Sequence, residues 1–242
     1  LRVASFTAPF SAAPLALSAN EEGTVNSESD GMLRVGRLSL QGASQSFLVG
    51  DPISSVATVT ITESTEAAGL VAGRPLRLQL PVGFTGSWST EESVDVGGVA
   101  ASKLAVQTIA DSVVELEVVA DFLPGESVTI QGLFLKEFVG AFAAGPLTLM
   151  NDLGETNAIA DGDLRVGQLT LTIVDQAFIH GNPTTDLGIL RIEEAPEAAV
   201  LTPGRQLRLR LPAGFSGVWE NVGTISLGGA GAGKIDNRIS IE

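Results

Sequence analysis

Apolar and polar residues alternate with a period of two along much of the chain. Leu76-Arg-Leu-Gln-Leu80 places three leucines on one face and Arg77 and Gln79 on the other, and Leu207-Arg-Leu-Arg-Leu211 repeats the arrangement. Val56-Ala-Thr-Val-Thr-Ile-Thr62 turns threonines outward, and Val114-Glu-Leu-Glu-Val118 turns glutamates outward. A period of two marks half-buried antiparallel strands, whereas a helix repeats its apolar positions about every 3.6 residues. Further runs predict strands near 34–40, 93–96, 103–108, 126–135 and 146–150. Turn residues separate them: Gly50-Asp-Pro52, Pro81-Val-Gly83, Gly97-Gly98, Leu123-Pro-Gly125 and Asp161-Gly162. Pro81 and Gly83 fit positions i+1 and i+3 of a type I turn. Helix is predicted only as a turn or two, at Glu66-Ala-Ala and at Pro196-Glu-Ala-Ala, with Pro196 at the first helical position.

The alternating segments recur at a fixed offset. Arg34-Val-Gly-Arg-Leu-Ser-Leu returns as Arg165-Val-Gly-Gln-Leu-Thr-Leu, 131 residues later. Gly73-Arg-Pro-Leu-Arg-Leu-Gln-Leu-Pro-Val-Gly-Phe84 returns as Gly204-Arg-Gln-Leu-Arg-Leu-Arg-Leu-Pro-Ala-Gly-Phe215. Trp88 matches Trp219, Gly97-Gly98 matches Gly228-Gly229, and Lys103 matches Lys234. About 30 of the 73 positions from 34 to 106 are identical at this offset, which identifies an internal repeat. Pro14-Leu-Ala-Leu matches Pro146-Leu-Thr-Leu and Asp30-Gly31 matches Asp161-Gly162, with one residue of slippage between them.

The repeat predicts an all-β fold of tandem Ig-like antiparallel β-sandwich units of about 131 residues, each with seven to nine short strands. Residues 1–36 are expected to carry the C-terminal strands of a partial unit, 37–167 a complete unit, and 168–242 the N-terminal strands of another. The partial pieces together fall roughly 20 residues short of a unit, the missing stretch matching Ser112 to Gln131. The expectation is thus a chain that starts and stops inside a domain. Each piece would expose apolar strand faces, with Leu15 and Leu17 on one and Leu207, Leu209 and Leu211 on the other. Burying three such leucines is worth on the order of 5–8 kcal/mol. A complete sandwich about 40 Å long separates the pieces within one chain. They would instead meet between chains, by strand addition of the donor-strand kind, and generate a head-to-tail homopolymer. In a covalent repeat array the same geometry arises between neighbouring repeats.

Ile61-Thr-Glu63, Glu66-Ala-Ala, Leu70 and Gly73-Arg-x-Leu-x-Leu-x-Leu-Pro-x-Gly-Phe84, with their second copy from Ile192 to Phe215, resemble the tandem Ig-like β-sandwich repeats of bacterial surface-layer and other large cell-surface proteins. The resemblance covers about a quarter of each repeat. It implies an extracellular, structural or adhesive role, and it transfers no catalytic or ligand residue.

Composition narrows the function classes. The chain of 242 residues has 28 acidic against 14 basic side chains, a formal net charge of −14, one His and no Cys. That charge opposes nucleic acid and anionic membrane surfaces. The absence of Cys removes disulfides, thiolate metal sites and cysteine nucleophiles. The longest apolar stretch, Leu133 to Met150, is interrupted by Lys136, Glu137 and Pro146, so no membrane-spanning helix is expected.

Candidate chemistry is sparse. His180 stands where the first copy has Val49, so the repeat does not need an imidazole there. Glu21, Glu22, Glu28 and Asp30 fall in one inter-strand segment, and Asn151, Asp152, Glu155, Asp161 and Asp163 in the matching one. Hard cations take six to eight oxygens, so a Ca²⁺ at a repeat junction would use Asp30, Asp161 and Asp163. The competing reading is that acidic turns keep the chain soluble. Trp88 and Trp219 fit a core plug better than a sugar-stacking platform. Arg74, Arg77, Arg205, Arg208 and Arg210 could bind an anion, but beside 28 acidic residues they fit pairing across strands or with a neighbouring domain better. No nucleophile elbow, phosphate loop or zinc-helix motif is present, and Gly228-Gly-Ala-Gly-Ala-Gly233 lacks the helix and acidic residue of a dinucleotide site. No enzymatic activity and no cofactor beyond calcium is expected. The repeat, taken with what the resemblance implies, leads to the expectation of a structural repeat unit of an extracellular filament, surface layer or stalk. The alternative is a cell-surface adhesin or carbohydrate-binding module.

Overall fold

A computed structural model describes residues 10–18, 25–181, 183–196, 198–201, 207–220 and 226–234. The described chain is all-β, its only helical elements being two short 3-10 turns at Ala101–Lys103 and Ala232–Lys234. The strands are β1 Phe10–Ser18, β2 Val25–Val35, β3 Ser39–Gln41, β4 Gln45–Leu48, β5 Ser54–Ser55, β6 Val59–Thr62, β7 Pro75–Gln79, β8 Ser87–Trp88 and β9 Asp95–Gly97. They continue with β10 Leu104–Ala110, β11 Val113–Val118, β12 Ser127–Gln131, β13 Phe134–Lys136, β14 Phe142–Asn151, β15 Thr156–Gly167, β16 Leu169–Ile173 and β17 Leu190–Glu194.

One sheet runs in the order β10-β11-β7-β14-β15-β3-β6-β12-β9, with β4 also paired to β15. Its ladders are antiparallel except where β15 meets β3 and β4, which run parallel to it. So β15, which ends at Gly167, closes against the strands that follow Gly36. Strands β5, β13 and β8 form a separate small sheet.

The alternation seen in the sequence is the alternation of burial. Leu76 and Leu78 on β7, Val114, Leu116 and Val118 on β11, and Val59 and Ile61 on β6 are buried, while the residues between them are not. These side chains and those of β12, β14 and β15 belong to one core cluster running from Leu40 to Val166. The buried faces of strands from both ends of the long sheet thus share one core. Arg77 lies directly opposite Glu115 across the β7–β11 ladder, with Nε 3.6 Å from the carboxylate.

Three local expectations are corrected. The Pro81 turn is closed by the Phe84 N–H donating to the Pro81 carbonyl at 3.0 Å, and Gly83 has φ +79°. Pro81 is therefore position i and Gly83 position i+2, where a positive φ suits glycine. The second copy agrees: Phe215 donates to Pro212 and Gly214 has φ +81°. Glu66-Ala-Ala is not helical, because the Leu70 N–H is taken by the Glu63 carboxylate. The third correction concerns the second leucine-rich segment. Residues 207–211 form no strand, and Leu207, Leu209 and Leu211 are only partly covered, not buried like Leu76, Leu78 and Leu80. Strand β7 is flanked by β11 and β14, and no counterpart of either flanks 207–211 among the described residues.

Two hairpins lie outside the long sheet. Strands β1 and β2 pair antiparallel, as do β16 and β17. Leu171 faces Ile192 in the second, as Leu40 faces Ile61 in the β3–β6 ladder 131 residues earlier.

Candidate functional site

The two hairpin ends present apolar faces whose equivalents in the 37–167 unit are covered. By sequence match, β1 and β2 correspond to β14 and β15, and Ala13 faces Leu33 as Gly145 faces Leu164. Leu17 is 65% exposed, and its counterpart Leu149 is 0% exposed. Leu15 and Leu33 are likewise exposed where Leu147 and Leu164 are buried. The difference lies in the neighbours. Strand β14 is covered on one edge by β7, with Leu149 opposite Leu78, and β15 is covered on its edge by β3 and β4. Hairpin β1–β2 pairs with no third strand among the described residues.

The region after β15 shows the reciprocal situation. Leu209 is 42% exposed and its counterpart Leu78 is 0% exposed. Leu207 and Leu211 are half-buried. In the 37–167 unit Phe47 stacks on Phe138 at 4.8 Å and Phe84 meets Phe142 edge-on at 5.4 Å. The counterparts of Phe47 and Phe84 are Phe178 and Phe215, which meet each other edge-on at 6.0 Å. The sequence matches of Phe138 and Phe142 are Phe6 and Phe10. Phe6 lies outside the described residues, and Phe10 is exposed on β1.

The acidic residues do not converge. Asp161 Oδ1 accepts from the Gly42 N–H at 2.8 Å, Asp163 Oδ2 lies 3.9 Å from the Arg165 guanidinium, and Asp30 sits exposed on β2. Among the described residues, no three His, Cys, Asp or Glu side chains are grouped to hold a metal ion. Asp161 instead uses one oxygen to fasten β15 to the loop after β3. Glu21 and Glu22 lie outside the described residues, as does Arg205. His180 is exposed in a turn. Trp88 is 1% exposed within the core cluster, so its ring offers no face to a sugar; Trp219 is half-buried.

Two groups passed over by sequence reasoning are structurally prominent. Glu63 is 2% exposed, with Oε2 accepting from the Leu70 N–H at 2.8 Å and Oε1 from the Ser64 N–H at 3.0 Å. Its counterpart Glu194 accepts from the Val200 and Leu201 N–H groups at 2.7 and 2.6 Å. Their identity across the repeat was the available signal. Lys103 Nζ lies 2.6 Å from Glu126, whose carboxylate also accepts from the Leu123 N–H. That N–H and then the Lys103 ammonium hold the Glu126 carboxyl below its ordinary value. No helix among the described residues is long and apolar enough to cross a membrane. No protein-family model and no curated protein matches the chain.

Proposed function

We propose that this chain is a structural repeat unit of an extracellular filament, surface layer or stalk, built from tandem Ig-like β-sandwich repeats that complete one another end to end. The observation that carries this reading is reciprocal exposure. Leu15, Leu17 and Leu33 are exposed on hairpin β1–β2 and Leu209 and Phe215 after β17, whereas their equivalents within residues 37–167 belong to or pack on one core cluster, with Leu149 opposite Leu78. Burying one such leucine is worth about 1.5–3 kcal/mol, so the two surfaces favour each other over water.

The partner is another repeat of the same kind, on a second copy or further along a longer chain. Between copies, the 37–167 unit sets the register: Leu17 faces Leu209 as Leu149 faces Leu78, and Val35 lies beside Phe178 as Val166 lies beside Phe47. Such a contact is heterologous and propagates into a filament. The composite lacks counterparts of β11 and β12, which removes core side chains such as Leu116 and Val128. A continuous array supplies them and leaves the same neighbours in contact.

Because the chain has no Cys, single thiols report the contact without background. Chains carrying Leu17→Cys are mixed with chains carrying Leu209→Cys under mild oxidation. We expect a heterodimer crosslink for this pair and none for Leu17→Cys with Leu227→Cys. Electron microscopy of the unmodified chain should show fibres, and removal of residues 1–36 should abolish them. Monomeric wild-type chains, or truncated chains that still polymerise, would refute strand exchange between copies.

A further inference from the structure

Among the described residues, the buried apolar side chains that lie outside the core cluster are Ala67, Ala198 and Val200. They belong to two loops at the repeat offset, each placed where one repeat hands over to the next. Gly36 follows β2 and presses on the first loop. A Cβ at Gly36 would stand 2.6 Å from the Ala67 carbonyl oxygen, 2.9 Å from the Gly69 nitrogen and 3.1 Å from Glu63 Oε1. Gly167 ends β15 and presses on the second. A Cβ there would overlap both methyl groups of Val200 and stand 2.9 Å from the Ala198 carbonyl oxygen. Only glycine permits either approach.

Each loop is held in shape by its glutamate, Glu63 or Glu194, whose carboxylate accepts backbone N–H groups from the far end of the loop. Charge-assisted bonds of this kind are stronger than neutral ones and leave the loop little freedom. The connection itself is short. One residue, Gln168, separates β15 from β16, and its carbonyl accepts from the Ala195 N–H at 2.9 Å. The Gly167 carbonyl accepts from the Val49 N–H of the upstream unit at 2.9 Å, while its Cα packs on the downstream loop. One residue is thus gripped from both sides. A flexible tether needs several residues with few contacts, and this connection is the opposite. A hinge motion here would break backbone bonds on both sides and uncover Ala198 and Val200.

We infer that the packing of each glycine on its glutamate-held loop is a rigid joint that fixes the orientation of each repeat on the next, so that a run of repeats is a stiff rod and not beads on a string. The inference rests on the tandem-repeat reading proposed above and adds to it the mechanical character of the array.

The test uses the full chain with spin labels on introduced thiols. Gln131→Cys with Thr172→Cys spans the Gly167 joint, and Ser27→Cys with Gln131→Cys spans the Gly36 joint, all at exposed positions. Gln107→Cys with Gln131→Cys, within the 37–167 unit, reports its integrity. Pulsed dipolar spectroscopy of the otherwise unaltered chain should give one narrow distance distribution across each joint. Gly167→Val should at least double the width across its own joint while leaving the control pair unchanged. Gly36→Ala should do the same at the other joint, and serves if the valine disturbs the control. A broad distribution in the unaltered chain, or an unchanged one after substitution with the control intact, overturns the rigid joint. Sedimentation of the same samples reads polymerisation separately, so loss of the joint and loss of the filament reading are told apart.

Discussion

Glu63 shows how much a single side chain organises here. Its carboxylate is buried with two backbone N–H donors, and the loop from Ser64 to Leu70 is shaped around it. Replacing it with alanine leaves the Leu70 N–H buried and without its acceptor, at about 1–3 kcal/mol for such a donor. Glu63→Ala should therefore destabilise the 37–167 unit by about that amount, read as a lower midpoint in urea denaturation with an unchanged slope. An unchanged midpoint would mean that water replaces the carboxylate freely. The alanines at 67 and 68 favour helix intrinsically, and this residue explains why none forms. A carboxylate that captures N–H groups from the loop competes with helical hydrogen bonding, and Gly36, just after β2, occupies the adjoining space. Neither effect is visible in local propensity.

At the scale of elements, the alternating segments were legible wherever a strand has one buried face and neighbours on both edges. Strands β6, β7 and β11 meet that condition and match the reading from sequence. The segment 207–211 carries the same pattern as β7 and forms no strand, because a strand is completed by partners as well as by its own residues. The repeat made Leu15, Leu17 and Leu209 recognisable as counterparts of the buried Leu147, Leu149 and Leu78. The acidic residues had no comparable signal, since spacing along the chain does not reveal that Asp161 is engaged by a backbone N–H. Lys103 and Glu126 join the 3-10 turn before β10 to the turn before β12, and their pairing yields a prediction with a definite sign. The folded-state Glu126 carboxyl titrates below its ordinary value. Its contribution to stability is therefore present above the unfolded-state value of about 4.3 and is lost as pH falls through the lower folded-state value. Thermal melts of wild type and Glu126→Gln between neutral pH and pH 3 should converge as the pH drops. Curves that stay parallel would show that this carboxylate is not linked to folding.

At the scale of the whole molecule, the buried core is confined to one span of the chain. Every member of the core cluster lies between Leu40 and Val166, and the aromatic contacts Phe47–Phe138 and Phe84–Phe142 lie within the same span. Parallel pairing of β15 with β3 and β4 ties the end of this span to its beginning, which makes its closure independent of the flanking hairpins. What the flanks contribute is the pair of joints at Gly36 and Gly167, where few apolar side chains are buried. Residues 37–167 expressed alone should therefore fold and unfold in one cooperative transition. The fragment loses the cover that Gly36 gives to Glu63 and Ala67, a small contact beside a core of this size. Its stability should fall within about 2 kcal/mol of the same transition in the full chain, in line with the loss of one or two buried contacts. Chemical denaturation of both, followed by the fluorescence of buried Trp88, provides the measurement. A fragment that is unfolded, or that melts without cooperativity, would show that the hairpins are integral to the central unit, and the division of the chain at Gly36 and Gly167 would have to be redrawn.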